Sequence, residues 1–236
     1  MRWEETTDQV EKDGSLMTKI DLAQIYRKLL KHLGKQYWWP AETRFEVIIG
    51  AILTQQTTWK NVEIAIENLK DKGLLDPISL ATAPLDHVEA LIRHTGFYRQ
   101  KARRIINFSK YLVTKYDGSL DKFFSGPQKQ IRRELLSLKG IGQETADSIL
   151  LYAADRLTFP IDAYTKRLCE RLGIKELKYE TLRKFFESNL PRDLETYKEF
   201  HALIDKLGKT YCKTKPQCSD CPLVNVHACM PLTGSI

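Results

Sequence analysis

A chain of 236 residues with 42% hydrophobic and 28% charged residues carries enough apolar content for an ordinary core, arranged as one large domain or two small ones. Its formal net charge of +7 permits a polyanionic partner without requiring one. No apolar run reaches the roughly 20 residues of a bilayer crossing, and the opening MRWEETTDQVEKDGSLMTK mixes acids with polar residues, so neither a membrane protein nor a secretory signal is expected and a cytoplasmic protein is the default.

Residues 1–18 are expected to be a disordered tail. Helical spacing begins with DLAQIYRKLLKHL (Asp21–Leu33), behind an aspartate cap. RFEVIIGAILTQ (Arg44–Gln55) is apolar on most sides and predicts a buried central helix. NVEIAIENLKDKG (Asn61–Gly73) is amphipathic and ends on glycine, and PLDHVEALIRHTG (Pro84–Gly96) opens with proline and closes with glycine. QKARRIINFSKYLVTKY (Gln100–Tyr116) follows, then PQKQIRRELLSLKG, a helix from Gln143 to Ala154, IDAYTKRLCERLG, YETLRKFFESNL and LETYKEFHALIDKLGKTYC. No stretch alternates as a strand does, so the fold class is all-α, and no internal repeat appears.

Two positions raise chemistry. Gly140-Ile141-Gly142 precedes a helical run. Two glycines around one apolar residue make a tight hairpin between helices, with Ile141 turned inward and bare backbone turned outward. The N–H groups at the start of the following helix then form an anion site that suits phosphate, although a plain helix–helix turn has the same pattern. Cys212, Cys218, Cys221 and Cys229 fall within 18 residues as Cys-x5-Cys-x2-Cys-x7-Cys. In a reducing compartment such a cluster reads as metal ligands, for a [4Fe–4S] cluster or for zinc. Zinc ribbons offer two Cys-x2-Cys pairs and this loop has one, which favours the cluster. His227 is read as a bystander, Cys169 as a core thiol, and Lys213 and Lys215 as phosphate contacts carried by the loop.

The segment LLSLKGIGQETADSILLYAAD, followed by FPIDAYTKRLCERLG, resembles the helix-hairpin-helix DNA glycosylases of the endonuclease III superfamily at Leu138, Gly140, Ile141, Gly142, Thr145, Ala146 and Asp162. LTQQT (Leu53–Thr57), GFYRQKARRI (Gly96–Ile105) and the cysteine loop resemble further motifs of that family, in the family's order. The resemblance spans roughly residues 40 to 230 and implies a two-lobed fold. Residues 19–40 and 160–236 would form one lobe with the cluster loop 212–229, residues 41–159 a helical bundle with the hairpin at 131–154, and the active site would lie in the cleft. The implied partner is double-stranded DNA containing a damaged base, bound by a monomer associated with the nucleoid.

The resemblance also implies roles. Asp162 would be the catalytic carboxylate, besides capping its helix. Gln55 would fill the gap left by an extruded base, and Lys139, Gly140, Gly142 and Gln143 would meet the DNA backbone. Bifunctional members carry a lysine two residues after the second glycine, which attacks the sugar. Here that position is Glu144, so a monofunctional enzyme using water is expected. GIGQETADSILLYA, with Trp38-Trp39-Pro40 ahead of Phe45, Glu46, Gly50, Ala51, Leu53, Thr54 and Gln55, is similar to the 3-methyladenine glycosylase branch, some of whose members lack the cysteine loop. That implies a base pocket built from Trp38, Trp39, Trp59 and Glu144 for alkylated purines such as 3-methyladenine and 7-methylguanine. Alternatives are an endonuclease III-like glycosylase with lyase activity, a uracil or thymine mismatch glycosylase, and a non-catalytic DNA-binding module. Arg93–Arg104 is a second basic stretch, read equally as a backbone contact or a solvated face.

Overall fold

The computed structural model describes residues 20–224 and 226. The expected N-terminal tail, His227 and Cys229 lie outside the described residues. Among the described residues the secondary structure is helical, without strands. The chain divides into two compact units, one formed by residues 1–38 with 157–236 and the other by residues 39–156.

In the unit of residues 39–156, α2 (Arg44–Leu53) is the central helix. Its residues Phe45 and Val47 through Leu53 are all buried, and Thr43 caps it by accepting from the Glu46 N–H. Around it lie α3 (Trp59–Asp71), α6 (Tyr98–Tyr116) and α9 (Gln143–Tyr152). Between α3 and α6 come two short helices, α4 (Pro77–Thr82) and α5 (Leu85–Leu91), and a 3-10 turn, Arg93–Thr95. α7 (Leu120–Phe124) and α8 (Gln128–Ser137) complete the unit.

The helix expected to end at Gln55 ends at Leu53, and the next starts at Trp59 rather than Asn61. α4 and α7 went unread because each is a single amphipathic turn or two. Their caps were legible nonetheless: Asp76 accepts from the N–H groups of Ile78 and Ser79, and Ser119 from that of Lys122.

The unit of residues 1–38 and 157–236 contains α1 (Leu22–Leu33), α10 (Ala163–Arg171), α11 (Tyr179–Asn189) and α12 (Leu194–Thr210). α12 packs on both α1 and α10. Its core is aromatic: Phe159 stacks on Phe186 with ring centroids 4.4 Å apart and meets Phe200 and Tyr197 edge-on. Burial of one such ring is worth roughly 1.5–3 kcal/mol, so this knot fixes the extended segment that leads into α10.

Candidate functional site

The hairpin is held by a polar pair. Arg132 on α8 donates to both carboxylate oxygens of Asp147 on α9, at 2.7 and 2.9 Å, and Asp147 is fully buried. Such a fork fixes the angle at which two helices meet, because both partners lose water and regain it only in one geometry. A second polar hub ties α8 to α6. Glu134 accepts from the hydroxyls of Tyr111 and Tyr116 at 2.5 Å each and pairs with Lys115 at 2.9 Å. Burial pushes the Glu134 carboxyl upward, but the donors from Tyr111, Tyr116, Lys115 and Gln130 outweigh it and hold it at about 2.

The two hairpin glycines do different work. Gly140 has φ +90°, in the range that L side chains avoid. A Cβ there would also collide with the Arg104 side chain, whose Nε, Cδ and Cγ occupy that space. Gly142 has φ −89° and ψ −179°, ordinary extended backbone, and a Cβ would meet nothing. Gly142 is the N-cap of α9, and no side chain caps that helix. The exposed Gly142 backbone is therefore an open approach to the amides of the α9 first turn. Ile141 is buried, as the pattern required, while Lys139 and Gln143 are exposed beside the turn.

Gln55 comes two residues after α2 and is docked on this hairpin. Its Nε2 donates to the Gly140 carbonyl and to Thr145 Oγ1, both at 3.0 Å, and its Oε1 accepts from Arg104 Nη1. Sequence reasoning treated Arg104 only as one charge in a basic stretch. The signal that could have found it is Gly140 itself, since a glycine at close approach implies a partner. Lys101, one turn earlier on α6, is buried and donates to the Thr95 carbonyl at 2.7 Å. Burial, and then the nearby Arg104 charge, push its ammonium down to about 8.

The tryptophans separate. Trp39 meets Trp59 edge-on at 5.3 Å and Tyr152 at 5.4 Å. Trp39 and Trp59 line an open pocket with Pro40, Glu46, Gly50, Glu63, Ile66 and Glu67. Gly50 lets the Trp39 indole pack closely on this wall: a Cβ there would stand 3.3 Å from the ring, which would have to give by a few tenths of an ångström. The Trp59 indole N–H donates to Glu63 at 2.7 Å. Trp38 belongs to the other unit, where its ring stacks on His201 at 5.7 Å and 8°, with Lys209 Nζ 5.8 Å from the ring centre. Glu144 is exposed in the first turn of α9 and does not line the Trp39–Trp59 pocket.

Asp162 is the N-cap of α10. Its Oδ1 accepts from the Thr165 N–H at 2.6 Å, and its Oδ2 lies 3.8 Å from His201 Nε2. The segment before it is pinned: Glu187 accepts from Thr158 Oγ1 and the Phe159 N–H, and the Tyr179 hydroxyl accepts from the Ile161 N–H. Asp162 is thus held on its backbone and on one oxygen, with its side chain 13% exposed. Burial pushes the His201 imidazole down, against the pull of Asp162 and Asp205, so His201 is neutral near pH 7. Asp205 itself is pushed up by burial while paired with Lys209 at 2.7 Å.

Cys212 follows the C-terminus of α12, and Cys218 and Cys221 lie on the following loop. Arg171 donates to Cys212 Sγ at 3.1 Å and to the Lys213 carbonyl at 2.6 Å, and Arg167 donates to the Cys212 carbonyl at 3.1 Å. Burial, and then the neighbouring Cys212 and Cys218, push the Cys221 thiol up. A guanidinium on the Cys212 sulfur favours the thiolate form that a thiolate-bound group needs. Among the described residues, no set of three or more His, Cys, Asp or Glu side chains is placed to hold a metal ion, and Cys229 lies outside them. Cys169 is buried in α10, and burial pushes its thiol up to about 12, as a core residue requires.

Residues 49–192 match the family described as HhH-GPD superfamily base excision DNA repair protein. The DNA repair glycosylase candidate MJ1434 of Methanocaldococcus jannaschii is 50% identical over 203 residues, covering 85% of this chain and 92% of that one. Among solved structures, Helicobacter pylori 3-methyladenine DNA glycosylase (MagIII) bound to 1,N6-ethenoadenine is 29% identical with a TM-score of 0.71, covering 80% of this chain and 98% of that one. A non-covalent endonuclease III–DNA complex is 27% identical with a TM-score of 0.74, over 88% and 93% of the two chains. The chain therefore belongs to the HhH-GPD superfamily and is a base-excision-repair DNA glycosylase of the endonuclease III superfamily.

Proposed function

We propose that this glycosylase is monofunctional and hydrolyses the N-glycosidic bond of alkylated purines, 3-methyladenine and 7-methylguanine, in double-stranded DNA. The observation that carries this reading is the pocket of Trp39 and Trp59 edged by Glu46, Glu63 and Glu67. These alkylated purines carry positive charge. An indole face attracts a cation, and carboxylates beside it add to that attraction. An extruded base costs a few kcal/mol of stacking, of which roughly 1–3 kcal/mol per base returns on an aromatic wall.

Bond cleavage builds positive charge on the sugar, as in glycoside hydrolysis. Asp162 would stabilise that charge and orient or deprotonate the attacking water through Oδ2, since Oδ1 is occupied by the Thr165 N–H. Neutral His201 beside it leaves the carboxylate's charge uncompensated from that side. A cationic purine is already a good leaving group and needs little acid catalysis. Glu144 cannot form an imine, so the reaction would stop at the abasic site. The Gly140–Gly142 hairpin, with Lys139 and Gln143, would hold phosphate, and Gln55 would occupy the gap in the duplex. Cys212, Cys218, Cys221 and Cys229 would hold a [4Fe–4S] cluster, with zinc as the alternative. When bound, that group would cross-link the loop carrying Lys213 and Lys215.

The likeness to endonuclease III over 88% of the chain favours a second reading, a glycosylase of damaged or mismatched pyrimidines. Those bases are neutral and require hydrogen-bond donors instead of a cation-attracting wall. The test is single-turnover base release from duplexes that differ only in one nucleotide, 7-methylguanine, uracil, thymine opposite guanine, or an oxidised pyrimidine. Faster release of 7-methylguanine supports the proposal, and faster release of a pyrimidine replaces it with the second reading.

A further inference from the structure

Arg104 joins two parts of the DNA-engaging surface that are far apart in sequence. Its aliphatic stem and Nε cover the face of Gly140 where a Cβ would stand. Its Nη1 donates to Gln55 Oε1. Gln55 Nε2 donates in turn to the Gly140 carbonyl and to Thr145 Oγ1, at 3.0 Å each. The amide of Gln55 is therefore engaged at both ends, and Arg104 is its charged donor. A glutamine side chain has three rotatable bonds and loses substantial rotamer entropy when ordered. Holding it in one rotamer before DNA arrives removes that cost from the binding step.

We propose that Arg104 is a positioning residue. It docks Gln55 onto the hairpin, so that one rigid body both holds phosphate and fills the gap left by an extruded nucleotide. This rests on the reading of Gln55 as the gap-filling residue. Arg104 acts through Gln55, not as a further phosphate contact. A lysine would keep the charge, but arginine can lay its stem and Nε over Gly140 and still present a second N–H to an amide oxygen.

The test uses a duplex containing one tetrahydrofuran abasic-site analogue with 2-aminopurine beside it. Fluorescence then reports gap filling whatever lesion the enzyme prefers. Arg104→Met, Arg104→Lys, Gln55→Ala and the double variant Gln55→Ala/Arg104→Met are compared with the wild type at saturating protein. Circular dichroism melting of each variant checks that it is folded. The expected result is a loss of about tenfold in the gap-filling equilibrium for Arg104→Met, the scale of one hydrogen bond from a charged donor. Arg104→Lys is expected to lose nearly as much, and the double variant to equal Gln55→Ala alone. Three results would overturn the proposal: Arg104→Lys equal to wild type, which would make Arg104 a charge only; additive losses in the double variant; or no loss in Arg104→Met. If Gln55→Ala leaves the signal intact while Arg104→Met lowers it, the gap-filling reading of Gln55 fails, and the positioning role with it. If neither lowers it, gap filling lies elsewhere altogether. Base release by the same variants separates these failures from failure of the glycosylase reading, which would appear as no base release by the wild type.

Discussion

Replacing either hairpin glycine by alanine adds one methyl group, yet the two substitutions should behave oppositely. At Gly140 the backbone φ of +90° costs an alanine roughly 1–2 kcal/mol. The new Cβ also pushes the Arg104 side chain off its seat and breaks its hydrogen bond to Gln55, which is worth roughly 1.5–3 kcal/mol with a charged donor. Arg104 is flexible enough to swing aside, so the sum should stay near 3 kcal/mol, about 1.5 M in the urea midpoint for a slope near 2 kcal/mol/M. At Gly142 the backbone is extended and the methyl group enters open space. Alanine is a poorer N-cap than glycine, but it also narrows the unfolded ensemble, so stability should change by less than about 1 kcal/mol. The methyl group stands where a phosphate oxygen would approach, however, and affinity for abasic duplex should fall about tenfold, about 1.4 kcal/mol. The assay pairs urea unfolding with fluorescence-anisotropy titration for both variants. Equal destabilisation by the two substitutions, or full DNA affinity in Gly142→Ala, would refute this reading of the hairpin.

Other consequences follow from single contacts. Asp162→Asn retains a good N-cap, so melting should shift little and DNA binding should survive, while single-turnover base release should fall by about 100-fold or more; retained turnover would remove Asp162 from the chemistry. Arg132→Met leaves Asp147 buried without its charge partner and should cost about 3–5 kcal/mol of stability in chemical denaturation. Glu134 has a folded pKa of about 2, below its ordinary 4.5, so its contribution is present above about pH 4.5 and is lost as pH falls toward 2. Glu134→Gln should therefore flatten the acid limb of a stability–pH curve by up to about 3 kcal/mol, and an unchanged limb would contradict the hub. Cys218→Ala should abolish bound iron, measured by metal analysis of the purified protein, if the loop holds the proposed cluster; undiminished iron would reject that ligand set.

The sequence reading succeeded where a local rule has one physical cause. Asp21 and Asp162 precede helices because their side chains satisfy orphan N–H groups, and each does so in the structure. The central helix was legible from its nearly continuous apolar run, and Ile141 from the two glycines around it. What stayed hidden depends on pairs distant in sequence. Arg104 meets Gly140 across 36 positions, and Glu134 collects donors from another helix. The burial of Lys101 could not be read from a basic stretch, because its partner is a backbone carbonyl. The separate partners of Trp38 and Trp39 were legible only as a conflict, since neighbouring indoles cannot easily enter one core; Trp39 packs close to Gly50 and Trp38 stacks on His201, both distant in sequence. The difference between the two glycines was also hidden, since composition cannot tell a glycine required for its φ from one required for its bareness.

The most direct test of the account is release of free bases from methylated duplex DNA, resolved chromatographically, with strand integrity followed on the same samples. The account predicts that 3-methyladenine and 7-methylguanine appear while the strand stays intact until alkali is added, and that borohydride traps no covalent enzyme–DNA adduct. Absence of both methylated bases, or strand scission with a stoichiometric borohydride adduct, would contradict it.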